Sequence, residues 1–143
     1  MRPIRVLIAD DHPDVLTALA SVVEDDPRFV VVGTATTGHE AVRLATGIPV
    51  DLALLDVHMP GGGLAAVEAL KELPAAPVVV AISAQSAPSL VDEMAHAGAS
   101  GYVVNGHVGE ALPDVLARCA AGEVVLPRQH APVPEALQSR GTG

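Results

Sequence analysis

The sequence predicts an α/β fold, a doubly wound five-stranded parallel sheet covered by five helices. Two observations carry this. Short apolar runs alternate with segments of helical periodicity five times along the chain, and such alternation builds parallel sheets with helical crossovers. The apolar runs are also nearly continuous, as expected of strands covered on both faces.

Each element has its own signal. Ile4–Ala9 (IRVLIA) reads as the first strand, ending at Asp10. A helix is predicted over His12–Asp26. Pro13 suits its first turn, and Val15, Leu16, Leu19, Val22 and Val23 recur at helical spacing before Pro27 stops it. Phe29–Ala35 (FVVVGTA) is the second strand. Thr37–Thr46 is a short helix with Val42, Leu44 and Ala45 facing inward, closed by Gly47. Val50–Leu55 is the third strand, followed by Asp56. Leu64–Leu73 is the third helix, with Leu64, Val67 and Leu70 on one stripe. Pro77–Ile82 is the fourth strand, followed by Ser83. Pro88–Ala97 is the fourth helix, closed by Gly98. Gly101–Val104 is the fifth strand, and Gly109–Ala121 the fifth helix, closed by Gly122.

Length and composition bound the function. A chain of 143 residues that is 50% hydrophobic and 17% charged is expected to be one globular domain. One cysteine, Cys119, excludes an intramolecular disulfide, and its apolar helical surroundings make it a core residue. No apolar run approaches the ~18 residues that cross a membrane, and no signal peptide is legible. The expectation is a cytoplasmic protein without membrane contact. Seventeen acidic residues stand against eight basic ones, for a net charge of −9. Lys71 is the lone lysine, and Phe29 and Tyr102 are the only aromatics. A nucleic-acid reader needs a basic face or stacking rings, so direct nucleic-acid binding by this chain is not expected.

The ends of the strands carry the chemistry. The first ends in Asp10-Asp11, the third in Asp56, the fourth in Ser83-Ala84 and the fifth at Asn105. Parallel strands bring these ends to one edge, where such sheets bind ligands. Three converging carboxylates repel one another unless a cation lies among them. A hard divalent ion such as Mg²⁺ suits oxygen donors, and a carboxylate beside it can attack a phosphoryl group. The structural alternative is helix capping by Asp10 or Asp11, and four matched strand ends weigh against it. The histidines, His12, His39, His58, His96, His107 and His130, are scattered without metal-ligand spacing and read as mostly solvent-facing.

Five segments in order give a resemblance. VLIADDHPDVLTAL, LLDVHMPG, AGASGYVVN and AAGEVVLP, together with the Ser83-Ala84 strand end, resemble the receiver (CheY-like, flavodoxin-like) domain of bacterial two-component response regulators, of the NarL/FixJ (LuxR-type) kind. The resemblance implies a receiver over residues 1–126 and a flexible tail over 127–143. It implies that Asp56 is the phosphoacceptor. Asp10 and Asp11 would hold Mg²⁺ with Asp56 and the backbone carbonyl of His58. Ser83 and Ala84 would meet the phosphoryl group, and Tyr102 would be the aromatic switch residue. The implied partners are a sensor histidine kinase, a second copy of the chain, and a downstream protein.

Three departures stand out. Asn105 occupies the position of the family's lysine, so the pocket lacks its positive charge. Pro60-Gly61-Gly62-Gly63-Leu64 is one residue shorter than the family's loop and reads as unusually flexible. After Leu126 only PRQHAPVPEALQSRGTG follows, too little for a helix-turn-helix domain. A phosphorylation-independent pseudo-receiver, suggested by Asn105, and the regulatory part of a LuxR-type DNA-binding regulator are the alternative readings.

Overall fold

The computed structural model describes residues 2–84, 87–104 and 108–127, with backbone only for 108–111. Five strands and five helices alternate: β1 (Ile4–Ala9), α1 (Pro13–Glu24), β2 (Phe29–Ala35), α2 (Gly38–Gly47), β3 (Leu52–Asp56), α3 (Gly63–Lys71), β4 (Val78–Ser83), α4 (Pro88–Ala97), β5 (Gly101–Val104) and α5 (Val108–Ala120). The sheet order is β2-β1-β3-β4-β5, and every pairing is parallel. The predicted doubly wound α/β architecture is the observed one.

Two apolar layers sandwich the sheet. Leu19 and Val23 of α1 and Leu112, Leu116 and Cys119 of α5 pack with Val6, Ile8, Leu52, Leu54, Val80 and Ile82. On the other face α2, α3 and α4 supply Ala41, Val67, Leu70, Val91 and Met94 against Leu7, Ala53, Leu55, Val79 and Ala81. Successive strand residues point to opposite faces, so the continuous apolar runs feed both layers. Cys119 is fully buried, as its apolar neighbours predict. Among the described residues no helix is long and apolar enough to cross a membrane.

Several boundaries differ from the sequence expectation, each for a local reason. β3 begins at Leu52 rather than Val50, because Asp51 turns its carboxylate to the Arg5 amide at 2.8 Å and the guanidinium at 2.9 Å. α1 ends at Glu24, and Asp26 instead binds the backbone and side chain of Arg28. α3 ends at Lys71 rather than Leu73. In α2 the fully buried residue is Ala41, while Val42, Leu44 and Ala45 are only partly covered. α2 lies so close to α3 that its small residue takes the inner position.

The loop before α3 is a correction. Gly61 and Gly62 adopt φ of 90° and 70°, which only glycine takes freely. A Cβ on Gly61 would lie 2.9 Å from the Gly38 nitrogen, and one on Gly38 would lie 2.9 Å from the Gly61 carbonyl oxygen. The Gly38 N–H donates to the Pro60 carbonyl at 2.8 Å. The glycines therefore allow close packing of this loop on the start of α2, rather than supplying looseness.

Candidate acid pocket at the carboxyl edge

Register brings the strand ends together. Ala9 pairs with Leu55, so Asp10 and Asp56 extend from adjacent strands. Asp56 pairs with Ile82, which puts Ser83 one residue further along the next strand, and Ser83 pairs with Val104. Asp10 N–H donates to the Ala35 carbonyl at 3.0 Å, and Val57 N–H to Ile82 at 3.0 Å. These bonds extend the ladder past the strands and fix the backbone beneath the side chains.

Asp10, Asp11, His12 and Asp56 form one cluster, each offering an atom within 4.8 Å of the others. Asp10 and Asp56 are buried, and Asp11 is partly covered. Asp10 Oδ1 accepts the His12 amide at 2.8 Å. Neither aspartate takes the N-cap position of α1, which falls to His12, so helix capping does not explain the acid pair. Asp56 Oδ1 accepts the His58 amide at 3.2 Å.

The electrostatics are unfavourable to negative charge. Burial pushes the Asp56 carboxyl above its ordinary range, the His58 amide offsets part of this, and the charges of Asp10 and Asp11 push it up again. Asp11 Oδ1 is enclosed and makes no hydrogen bond among the described residues, although the His12 ring nitrogen stands 3.0 Å away. An enclosed oxygen without a hydrogen bond is costly. Three carboxylates with one unsatisfied oxygen fit a hard divalent cation, which prefers oxygen donors and tolerates water in its remaining positions.

His12 adjoins the acid pair in the sequence, and its ring faces solvent as expected of the histidines. Its ring is exposed, yet Nδ1 stands 3.3 Å from Asp10 Oδ1 and 3.0 Å from Asp11 Oδ1. The available signal was its adjacency to the acid pair, with Pro13 setting the turn.

Further along the edge, Ser83 is buried and Ala84 exposed. Tyr102 is 3% exposed and lies in the apolar layer of α2–α4. Burial pushes its phenol up, and a hydrogen bond from Ser83 offsets part of that. Asn105 and His107 lie outside the described residues. Lys71 is engaged elsewhere, donating from Nζ to the Pro77 carbonyl at 3.0 Å before β4 begins.

Fold and pocket together define the receiver class of signalling domain. The chain belongs to the response regulator receiver domain family, which matches residues 6–113. It is similar to the nitrate/nitrite response regulator protein NarL of Escherichia coli (strain K12), with 34% identity over 132 residues, covering 92% of this chain and 61% of that protein. The response regulator GacA of Pseudomonas aeruginosa is 34% identical over 122 residues, covering 84% of this chain and 56% of that protein. The chain thus spans about three-fifths of the length of these curated relatives. Among solved structures it is similar to the signal receiver domain of the putative response regulator NarL from Mycobacterium tuberculosis. That match has a TM-score of 0.82 and 28% identity, over 86% of this chain and 100% of that one. A LuxR-family two-component response regulator from Aurantimonas sp. SI85-9A1 matches with a TM-score of 0.86 and 26% identity, over 98% and 99%. The chain is a receiver domain of a two-component response regulator, with NarL/LuxR-type homologues.

Proposed function

We propose that the protein accepts a phosphoryl group on Asp56 and converts the event into an altered protein-binding face. The observation that carries this reading is the position of Asp56: buried at a strand end, with two further carboxylates beside it and its own affinity for a proton raised. Asp10, Asp11 and Asp56, with the His58 carbonyl, would hold Mg²⁺. Bound there, the ion would neutralise the pocket and orient phosphoryl oxygens.

The chain's own residues do the rest. An Asp56 oxygen attacks phosphorus. The bond from phosphorus to the donor, the imidazole nitrogen of a sensor kinase phosphohistidine, breaks as the acyl phosphate forms, and the freed imidazole takes up a proton. The His58 amide holds the non-attacking oxygen of Asp56. Ser83 stands ready to donate its hydroxyl to the new phosphoryl group, and Ala84 leaves it room. Because Ser83 also hydrogen-bonds Tyr102, a Ser83 that turns to phosphate gives up or strains that bond. Such an exchange shifts the population between two states.

A second reading rests on Asn105. With an amide where the family has a lysine, the domain would act as an interaction module independent of phosphorylation. A third, the regulatory part of a longer DNA-binding regulator, rests on the share of its relatives that the chain spans. The net charge of −9 supports contact with proteins rather than with DNA by these residues.

Acetyl phosphate with Mg²⁺, followed by intact-mass measurement, tests the acceptor reading. The expected result is one phosphoryl adduct on the unmodified chain and none on Asp56→Asn. An unmodified chain that binds Mg²⁺ but gains no adduct sinks the acceptor reading and favours the second.

A further inference from the structure

The chain does not leave the domain where α5 ends. Gly122, just past the helix, takes φ of 102°. Gly122 N–H donates to the Cys119 carbonyl at 3.0 Å, and Glu123 N–H to Arg118 at 3.0 Å. This pair of bonds closes a helix C-terminus and reverses the chain. The reversed segment runs beside β5. Val125 N–H donates to the Ser100 carbonyl at 2.8 Å, and Tyr102 N–H donates to the Val125 carbonyl at 3.0 Å. The result is a parallel bridge between Gly101 and Val125.

Side chains fasten the same segment. Val125 packs against the layer of α1 and α5, and Leu126 against the layer that contains Tyr102. The segment thus straddles the sheet edge as a sixth strand would.

We propose that residues 123–127 are a strap that holds Tyr102 in its buried seat through the two main-chain hydrogen bonds of Val125. β5 is four residues long and lies at the edge of the sheet. Without the strap the Tyr102 amide has no strand to bond on that side, and an unpaired amide in so buried a residue is costly. α5 and β5 are also in intimate contact, since a Cβ on Gly101 would lie 2.8 Å from Cys119 Sγ. Strand, helix and strap therefore shift as one piece. Coupling of this kind is reciprocal. Seating of Tyr102 favours docking of the strap, and docking of the strap favours the seated Tyr102. Use of the strap in signalling rests on the proposed switch role of Tyr102; the seating itself does not.

Tyr102 is the one tyrosine, and the chain has no tryptophan, so intrinsic fluorescence of the full chain reports this residue alone. Val125→Pro removes the N–H that Ser100 accepts. The expected result is a several-fold rise in acrylamide quenching of Tyr102, with Val124→Ala, at a 65% exposed position, unchanged. Unchanged quenching in a Val125→Pro protein with native circular dichroism overturns the proposal. Amide exchange on the unsubstituted chain gives a second reading should that variant fail to fold. Tyr102 and Val125 are expected to share one protection factor. A Val125 amide exchanging at the random-coil rate beside a protected Tyr102 overturns the strap. Neither readout uses a phosphoryl group, so failure of the Asp56 adduct and failure of the strap are separate results.

Discussion

Gly63 and Val57 are locked together one residue past the proposed acceptor. The Gly63 N–H donates to the Val57 carbonyl at 3.2 Å. A Cβ on Gly63 would lie 2.6 Å from that same oxygen and 2.7 Å from the Val57 Cα. The start of α3 is therefore pressed against the backbone that carries Asp56. Neither partner is a flexible side chain end, so a methyl group here must move main chain.

Gly63→Ala is expected to destabilise the domain by about 2 kcal/mol or more, the range of overpacking against a rigid surround. Gly33→Ala is the opposing case. Its Cβ would meet Leu7, Leu44 and Ile48 at ordinary contact distances of 3.5–3.7 Å. Restricting the unfolded chain there should stabilise by about 0.4–1 kcal/mol. Urea unfolding midpoints at constant slope check both. A neutral Gly63→Ala would mean the loop can yield.

Asp56 should make stability depend on pH with a defined sign. Its folded pKa is raised above its ordinary 3.8, so the folded state holds the proton more tightly than the unfolded chain. The stability contributed by that proton is complete below the unfolded value and is lost as pH rises through the folded one. Asp56→Asn should therefore raise the Tm at pH 7. The gain should shrink to nothing on acidification to below the unfolded pKa. Calorimetry of both proteins across this range checks it, and a Tm gain that persists in acid would point to packing rather than charge.

Most of the fold was legible because the strands are dominated by apolar residues and most helices are followed within three residues by glycine or proline. The exceptions are instructive. Asp51 sits in an apolar run yet lies outside β3, since only the structure reveals its ion pair with Arg5. The glycine triplet is silent in sequence about whether it is loose or crowded, because crowding comes from Gly38 and Val57, distant or unremarkable in the string. Asp10, Asp11 and Asp56 could be assembled from topology alone. The adjacency of His12 to the acid pair was legible too, but not the approach of its ring to Asp10 and Asp11, which depends on the turn. The end of α5 at Ala120 was legible from Gly122, whereas the pairing of Val125 with β5 was not, since a single bridge leaves no periodic signal.

Metal binding and charge repulsion should separate in Asp10→Asn. In chelator, this variant should be at least as stable as the parent, because one of three mutually repelling carboxylates is gone. With Mg²⁺ at a hundred times its dissociation constant the parent should gain about 2.7 kcal/mol. The variant, lacking a ligand oxygen with full charge, should gain much less at the same concentration. Thermal melts in chelator and in Mg²⁺ give all four values. Equal Mg²⁺ responses would exclude Asp10 from the ligand set.

The lone lysine settles what Asn105 must do without. Lys71 Nζ is bound to the Pro77 carbonyl, ahead of the first residue of β4, while Ser83 marks that strand's far end. Its stem also covers Gly98, where a Cβ would lie 2.7 Å from Lys71 Cγ. Lys71 is thus a structural tie between α3, β4 and the end of α4, on the wrong edge of the sheet to reach Asp56. The sequence holds no second lysine. An amide at position 105 brings a donor without charge, and preorganised donors of this kind are worth roughly 10²–10³-fold in rate. Asn105→Lys is therefore expected to speed acetyl phosphate labelling of Asp56 by roughly that factor, read as the time course of the intact-mass adduct. The same substitution should lower the Mg²⁺ affinity, since it neutralises part of the charge that attracts the cation. Labelling at the parent rate would mean that Asn105 does not face the phosphoryl group, and that the pocket works by the metal and Ser83 alone.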